Sequence, residues 1–119
     1  MGRIFKPVSV QANGNQRLIV AFVDSGSDDS IISANLAREI GAELYGEYLA
    51  FSASNDQITG KRTTLGFTID GFALEFEVGV TNTPFHSEYS DEEGVHMIIG
   101  LDILQEIEAR LVFRRSMPN

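Results

Sequence analysis

Asp24 stands where an apolar strand stops, and the residues around it are of the kind that moves protons. Leu18 to Val23 is an uninterrupted apolar run, the pattern of a strand buried on both faces. The chain then turns polar at once, through Asp24-Ser25-Gly26-Ser27-Asp28-Asp29-Ser30, before Ile31-Ile32. Gly26 offers backbone conformations denied to other residues, and Ser25 and Ser27 bring hydroxyls that can bond neighbouring backbone or a partner chain. Such a turn holds a carboxylate rigidly near the core. Hydrolysis of an amide by water takes a base for the water's proton and an acid for the carbonyl oxygen, and two adjacent aspartates supply both. Carboxylates about 3 Å apart do not both ionise readily, so a pair shares one proton and its titrations belong to the pair.

Other uses of Asp24 fail on spacing. A calcium loop alternates oxygen ligands and places glycine at its sixth position, where Asp29 stands here. A phosphoryl-accepting aspartate would have a second acid two residues on, and that residue is Gly26. His86 and His96 bracket the acids Glu88, Asp91, Glu92 and Glu93, which read as a solvated loop rather than a metal site. Neither a metal nor another cofactor is expected.

Asp24-Ser25-Gly26-Ser27 resembles the Asp-Thr/Ser-Gly-Ala/Ser signature of aspartic proteases, and the continuation Asp28-Asp29-Ser30-Ile31-Ile32 looks most like the single-domain retropepsin group. Downstream, Met97-Ile98-Ile99-Gly100-Leu101-Asp102-Ile103-Leu104 is similar to that group's hydrophobic-hydrophobic-Gly segment leading into a short helix. The resemblance implies an aspartic endopeptidase with Asp24, Ser25 and Gly26 as its catalytic residues. It also implies a homodimer, because members use two facing aspartates and this chain has a single Asp-Ser-Gly. The residue at the position of Ser25 steadies the aspartates across the dimer axis, and Ser27, Asp28 and Asp29 match substrate-side positions. For Asp28 and Asp29 the plainer reading is a pair of solvated, helix-leading acids. Where viral relatives carry arginine after the glycine matching Gly100, this chain has Leu101, as cellular and bacterial members do. The salt bridge from that arginine to the position of Asp28 is therefore absent, and dimer stability would fall to terminal strands around Ile4 to Val10 and Leu111 to Phe113. The alternative is a weak or inactive retropepsin-like module that dimerises or binds peptides.

Composition agrees with that picture. The 119 residues suffice for one domain spanning 1-119 and are too few for a two-lobed enzyme. A net charge of −8 disfavours a phosphate backbone, so the expected partners are a second copy and a peptide or protein substrate rather than nucleic acid. The absence of cysteine rules out disulfides, a thiolate nucleophile and a zinc knuckle. Met1 to Val10 lacks the apolar run of a signal peptide, and no window approaches a membrane span, so a cytoplasmic protein is expected.

The elements that must position Asp24 follow from pattern. Arg3 to Gln11 and Gln16 to Val23 flank an Asn13-Gly14-Asn15 turn and read as a hairpin, with Pro7 placing the first strand at an edge. Ser33 caps a helix from Ala34 to Ile40 that stops at Gly41. Tyr48 to Phe51 and Ile58 to Gly60 flank a polar tip, and Ser54, Asn55, Asp56, Gln57 and Ile58 are expected to form a flap over the substrate. Leu65, Phe67 and Ile69 alternate into Asp70-Gly71, and Phe72, Leu74, Phe76, Val78 and Val80 alternate out of it, a second hairpin. Asp102 with Gln105 reads as a capping box for a short helix Ile103 to Ile107, followed by a last strand at Leu111-Val112-Phe113. Ile31, Ile32, Ile58 and Ile98 are expected to line an apolar groove. The fold class expected is all-β, a compact closed barrel with a flap hairpin and one or two short helices. A strand, a glycine turn and a helix recur around Gly26 and around Gly100.

Overall fold

The computed structural model describes residues 4–51, 57–81 and 95–116. Two tight hairpins set the frame. Strands β1 (Ile4–Ala12) and β2 (Asn15–Val23) meet at Asn13-Gly14, and β5 (Gln57–Ile69) and β6 (Phe72–Thr81) meet at Asp70-Gly71. All four turn residues have positive φ, the requirement of a two-residue turn whose twist matches its strands. Between the hairpins run β3 (Ile31–Ser33), α1 (Ala34–Ile40) and β4 (Tyr45–Phe51), and after them come β7 (Val95–Ile99) and α2 (Leu101–Ser116).

The strand order is β1-β2-β7-β3-β6-β5-β4, and β1 also pairs with β5. That extra pairing closes six strands into a barrel and leaves β4 outside the ring, hydrogen-bonded to β5 alone. Pro7 lies in the half of β1 that pairs only with β2, since pairing to β5 begins at Ser9, so its missing N–H breaks no ladder. The interior is filled by the inward set of the six ring strands, including Val8, Ile19, Ile32, Phe67, Val78 and Met97, with Leu36 and Ile40 of α1 as a plug. Ser33 caps α1 by accepting the Leu36 N–H, and Gly41 ends it in the left-handed region.

Two expectations need correction. Leu111, Val112 and Phe113 are not a strand: α2 continues through them to Ser116. The chain from Leu104 to Leu111 is rich in strong helix formers, and Glu108-Ala109-Arg110 contains none of the residues that would reverse it, so the β propensity of the next residues has no turn to act after. An Arg110 to Glu106 bond of 3.2 Å adds one turn's worth of support. The groove lining is also narrower than expected. Ile32 is fully buried in the core, because neighbouring residues on β3 point to opposite faces, whereas Ile31 and Ile58 keep part of their surface exposed and Ile98 of β7 stands outside the core cluster.

Candidate active site

Asp24 emerges at the end of the one parallel pairing that β2 makes, with Val23 beside Ile99 of β7. Its N–H donates to the Ile99 carbonyl oxygen at 2.9 Å, so the backbone is fixed by the next strand before the turn begins. The half-buried side chain is fixed as well: the Gly26 N–H donates to Asp24 Oδ1 at 2.9 Å, and the Ser27 N–H donates to the Asp24 carbonyl oxygen at 3.1 Å. Gly26 is not in the left-handed region, so the conformational argument for it is replaced by a steric one. A Cβ there would stand 3.2 Å from Asp24 Oδ1, crowding the carboxylate it holds.

The rest of the loop is tied to the chain around Gly100. Leu101 N–H donates to the Ser27 carbonyl oxygen at 2.8 Å and Asp102 N–H to that of Asp28 at 3.2 Å, which satisfies two free donors at the start of α2. Ser30, fully buried, donates its hydroxyl to Asp102 Oδ1 at 2.6 Å and accepts the Gly100 N–H at 2.8 Å, while its own N–H donates to Asp102 Oδ2 at 3.1 Å. Asp102 is therefore a bridge to the Asp24 loop that also accepts the Ile103 N–H, and not half of a capping box with Gln105. No side chain fits at position 100, where a Cβ would lie 2.5 Å from the Asp29 carbonyl oxygen and 2.7 Å from that of Ser27.

Asp24, Ser25, Gly26, Ser27, Asp28 and Asp29 thus form one loop on a shared backbone frame. Ser27 donates its hydroxyl to the Asp29 carbonyl oxygen at 2.8 Å, and Ser25, Asp28 and Asp29 are exposed. Gln57 and Ile58 open β5 and pair with Phe51 and Ala50 of β4. Ser54, Asn55 and Asp56 lie outside the described residues, as do His86 and the acids around it.

Three contributors were not expected to shape this loop. Ser30 and Asp102 lock the loop to α2. Tyr48 of β4, 4 % exposed, packs its ring against Gly79 of β6; burial first, and then the Asp29 charge, push its phenol up to about 12. Gly79, a lone glycine within a β-branched run, was the available sign that something packs against β6 there. His96 of β7 sits with Nδ1 3.2 Å from Ser33 Oγ, and burial, then Arg17, hold its pKa below the usual 6.5.

A loop of this construction, carrying Asp-Ser-Gly at the mouth of a closed barrel, has a known family. The model described as aspartyl protease matches residues 8–103. The chain belongs to the aspartyl protease family. Among solved structures, the EIAV protease bound to an inhibitor superposes with a TM-score of 0.69 at 16 % identity, covering 90 % of this chain and 89 % of that one. The retroviral protease-like domain of Ddi1 from Leishmania major gives 0.60 at 24 % identity, over 89 % and 78 % of the two chains. A retropepsin-like aspartic protease from Rickettsia conorii gives 0.55 at 18 % identity, over 88 % of each. No curated protein is significantly similar to the chain in sequence. The fold of this family member is thus retropepsin-like, all-β, with two helices. No helix among the described residues is long and apolar enough to cross a membrane.

Proposed function

We propose that the protein is an aspartic endopeptidase in which Asp24 carboxylates from two copies activate one water. The observation that carries this is the Asp24 carboxylate itself, half-buried, held through Oδ1 by the Gly26 N–H and set on a backbone braced by Ile99. One Asp-Ser-Gly per chain supplies one such group. The second comes from another copy across a two-fold axis. An apolar surface suited to that contact lies beside the site: Ile4, paired with Val23, is 54 % exposed, and its neighbour Phe5 packs its ring at a tilt against Phe22 with centroids 5.4 Å apart. With Leu111 to Phe113 in α2, the strand share of that contact falls to β1.

The chemistry balances between two carboxyl groups. The ionised Asp24 takes a proton from water as the oxygen attacks the peptide carbonyl carbon, and the protonated Asp24 gives its proton to the carbonyl oxygen. Collapse of the resulting diol returns one proton to a carboxylate, passes one to the departing nitrogen and breaks the C–N bond. Ser25 steadies the pair across the axis, and Ser27, Asp28 and Asp29 face the substrate. Residues 54–58 close over it as a flap.

The test is cleavage of a diverse peptide library between about pH 3.5 and 7.5, where a shared-proton pair is active, with cut sites read by mass spectrometry. Asp24→Asn is expected to lower the rate roughly a thousand-fold or more, because it removes both roles at once. Cleavage that persists in the variant removes Asp24 from the chemistry, and none by a dimeric wild type sinks the endopeptidase and favours a peptide-binding module.

A further inference from the structure

A cleft of about 660 Å³ opens at the far end of β2 from Asp24, lined by residues 11–16 together with Glu43, Gly66 and Glu75. Roughly 30 Å of extended strand separate Asn15 in the cleft from Asp24. Gly66 forms part of its floor. It pairs with Gln11 of β1 on one side and Glu75 of β6 on the other, and it faces outward between the buried Leu65 and Phe67. Nothing in the fold requires glycine there. Its φ is not positive, and a Cβ would meet nothing nearer than the Gln11 carbonyl oxygen at 3.5 Å, an ordinary contact. At Gly60, Gly79 and Gly100 the same atom would come within 1.9, 2.8 and 2.5 Å of its neighbours. A glycine inside a strand weakens it, and one that neither packing nor dihedral explains keeps a surface open for another molecule to approach.

The groups around that floor are mostly acceptors. Asn15 Nδ2 donates to the Ile40 carbonyl oxygen at 2.9 Å and Gln16 Nε2 to Ser9 Oγ at 2.7 Å, which leaves each amide its oxygen and a single N–H. Glu43 is tied to β5 through its own carbonyl oxygen, which accepts the Thr63 hydroxyl at 2.7 Å, while its side chain stays exposed. The ion pairs among the described residues use Asp70, Glu39, Glu47, Glu77 and Glu106; none uses Glu43 or Glu75. Glu77, next on the same face of β6, holds Arg62 and accepts the Tyr45 hydroxyl, so the neighbouring acid is neutralised where Glu75 is not. No lysine or arginine among the described residues lines the cleft. Two unpaired carboxylates and two amide oxygens beside bare backbone fit a ligand that brings donors and positive charge. The volume suits a chain of atoms rather than a single ion.

We infer that this cleft binds an organic cation, an unbranched chain bearing ammonium or guanidinium groups, with Glu43 and Glu75 receiving the charge and the Asn15 and Gln16 amide oxygens the remaining donors beside Gly66. The site is separate from Asp24 and its occupation does not depend on the endopeptidase. A free polyamine and a basic side chain of a protein share this chemistry, and two probes distinguish them: spermine, and the peptide acetyl-Gly-Lys-Lys-Gly-amide. Each is titrated into nitrogen-15-labelled protein at about 20 mM salt, where surface charge is little screened, and followed by backbone amide shifts. Saturable shifts confined to residues 11–16, 43, 64–66 and 75 are expected, and the probe that saturates at the lower concentration identifies the source. Glu43→Gln and Glu75→Gln should each weaken binding about three- to five-fold, as one exposed ion pair allows. Gly66→Ala should weaken it to a similar degree while unfolding in urea at or above the wild-type midpoint. Shifts spread over the paired acids Glu39, Glu47 and Glu77 would mean general attraction to a chain of net charge −8, and overturn the inference. So would binding that survives the Glu43→Gln, Glu75→Gln double variant, a Gly66→Ala variant that is less stable than wild type, or no saturable shift with either probe.

Discussion

At the scale of single residues, the site depends on atoms that are missing as much as on atoms present. Gly100→Ala forces a methyl group against two carbonyl oxygens of the Asp24 loop and is expected to cost about 3 kcal/mol, toward the upper end of single substitutions, as measured by urea unfolding. Ser30→Ala strips partners from the Gly100 N–H and from Asp102 at once, with an expected loss of roughly 1–3 kcal/mol. Should both variants unfold at the wild-type midpoint, the frame described around Asp24 is not what holds the loop. Asp24 and Gly100 were legible in the sequence because an apolar run ending in a polar or glycine turn is a local pattern. Tyr48 was not: it looks like any strand tyrosine until β6 brings Gly79 under its ring. Gly26 was legible as necessary, for a reason that changed from dihedral freedom to the 3.2 Å space beside Asp24 Oδ1.

At the scale of elements, local signals with a mechanism served well. The bounds of α1 follow from Ser33 and Gly41, and both two-residue hairpins follow from Asn13-Gly14 and Asp70-Gly71, since each signal acts within four residues. The end of α2 did not, because a helix that loses its buried face after Ile107 continues on propensity alone, and a short apolar triplet carries no period of its own. The contact between β7 and the cap of α1 gives a pH-dependent prediction. His96 has its folded pKa lowered by burial and then by Arg17, so the unfolded chain binds more protons below 6.5. The stability it contributes is complete above that value and is lost as pH falls toward the folded pKa. Unfolding midpoints at about pH 7.5 and 5 should converge in His96→Asn relative to wild type; an unchanged difference removes His96 from the account.

At the scale of the whole molecule, the single Asp-Ser-Gly loop per chain makes the proposed activity depend on two copies. Sedimentation at micromolar concentration should give close to twice the 13.1 kDa chain mass, and a stable monomer that still cleaves peptides would rule out the shared dyad. The ring of six strands follows from the β1 to β5 pairing, which joins residues 9–11 to 66–68 and has no signature in either segment. Closure was available only through the family resemblance.

The parallel register of β2 and β7 also fixes when a working site can exist. The carbonyl that receives the Asp24 N–H belongs to Ile99, and the groups that hold the rest of the loop belong to Gly100, Leu101 and Asp102. A ribosome makes Asp24 early and these partners late, at about 5–20 residues per second, so a nascent chain stopped short of residue 99 carries the aspartate without the groups that brace its backbone and the rest of its loop. Incomplete products are thereby silent, and the earliest moment at which this chain could cut anything, its own synthesis machinery included, comes after nearly all of the sequence described here has been translated.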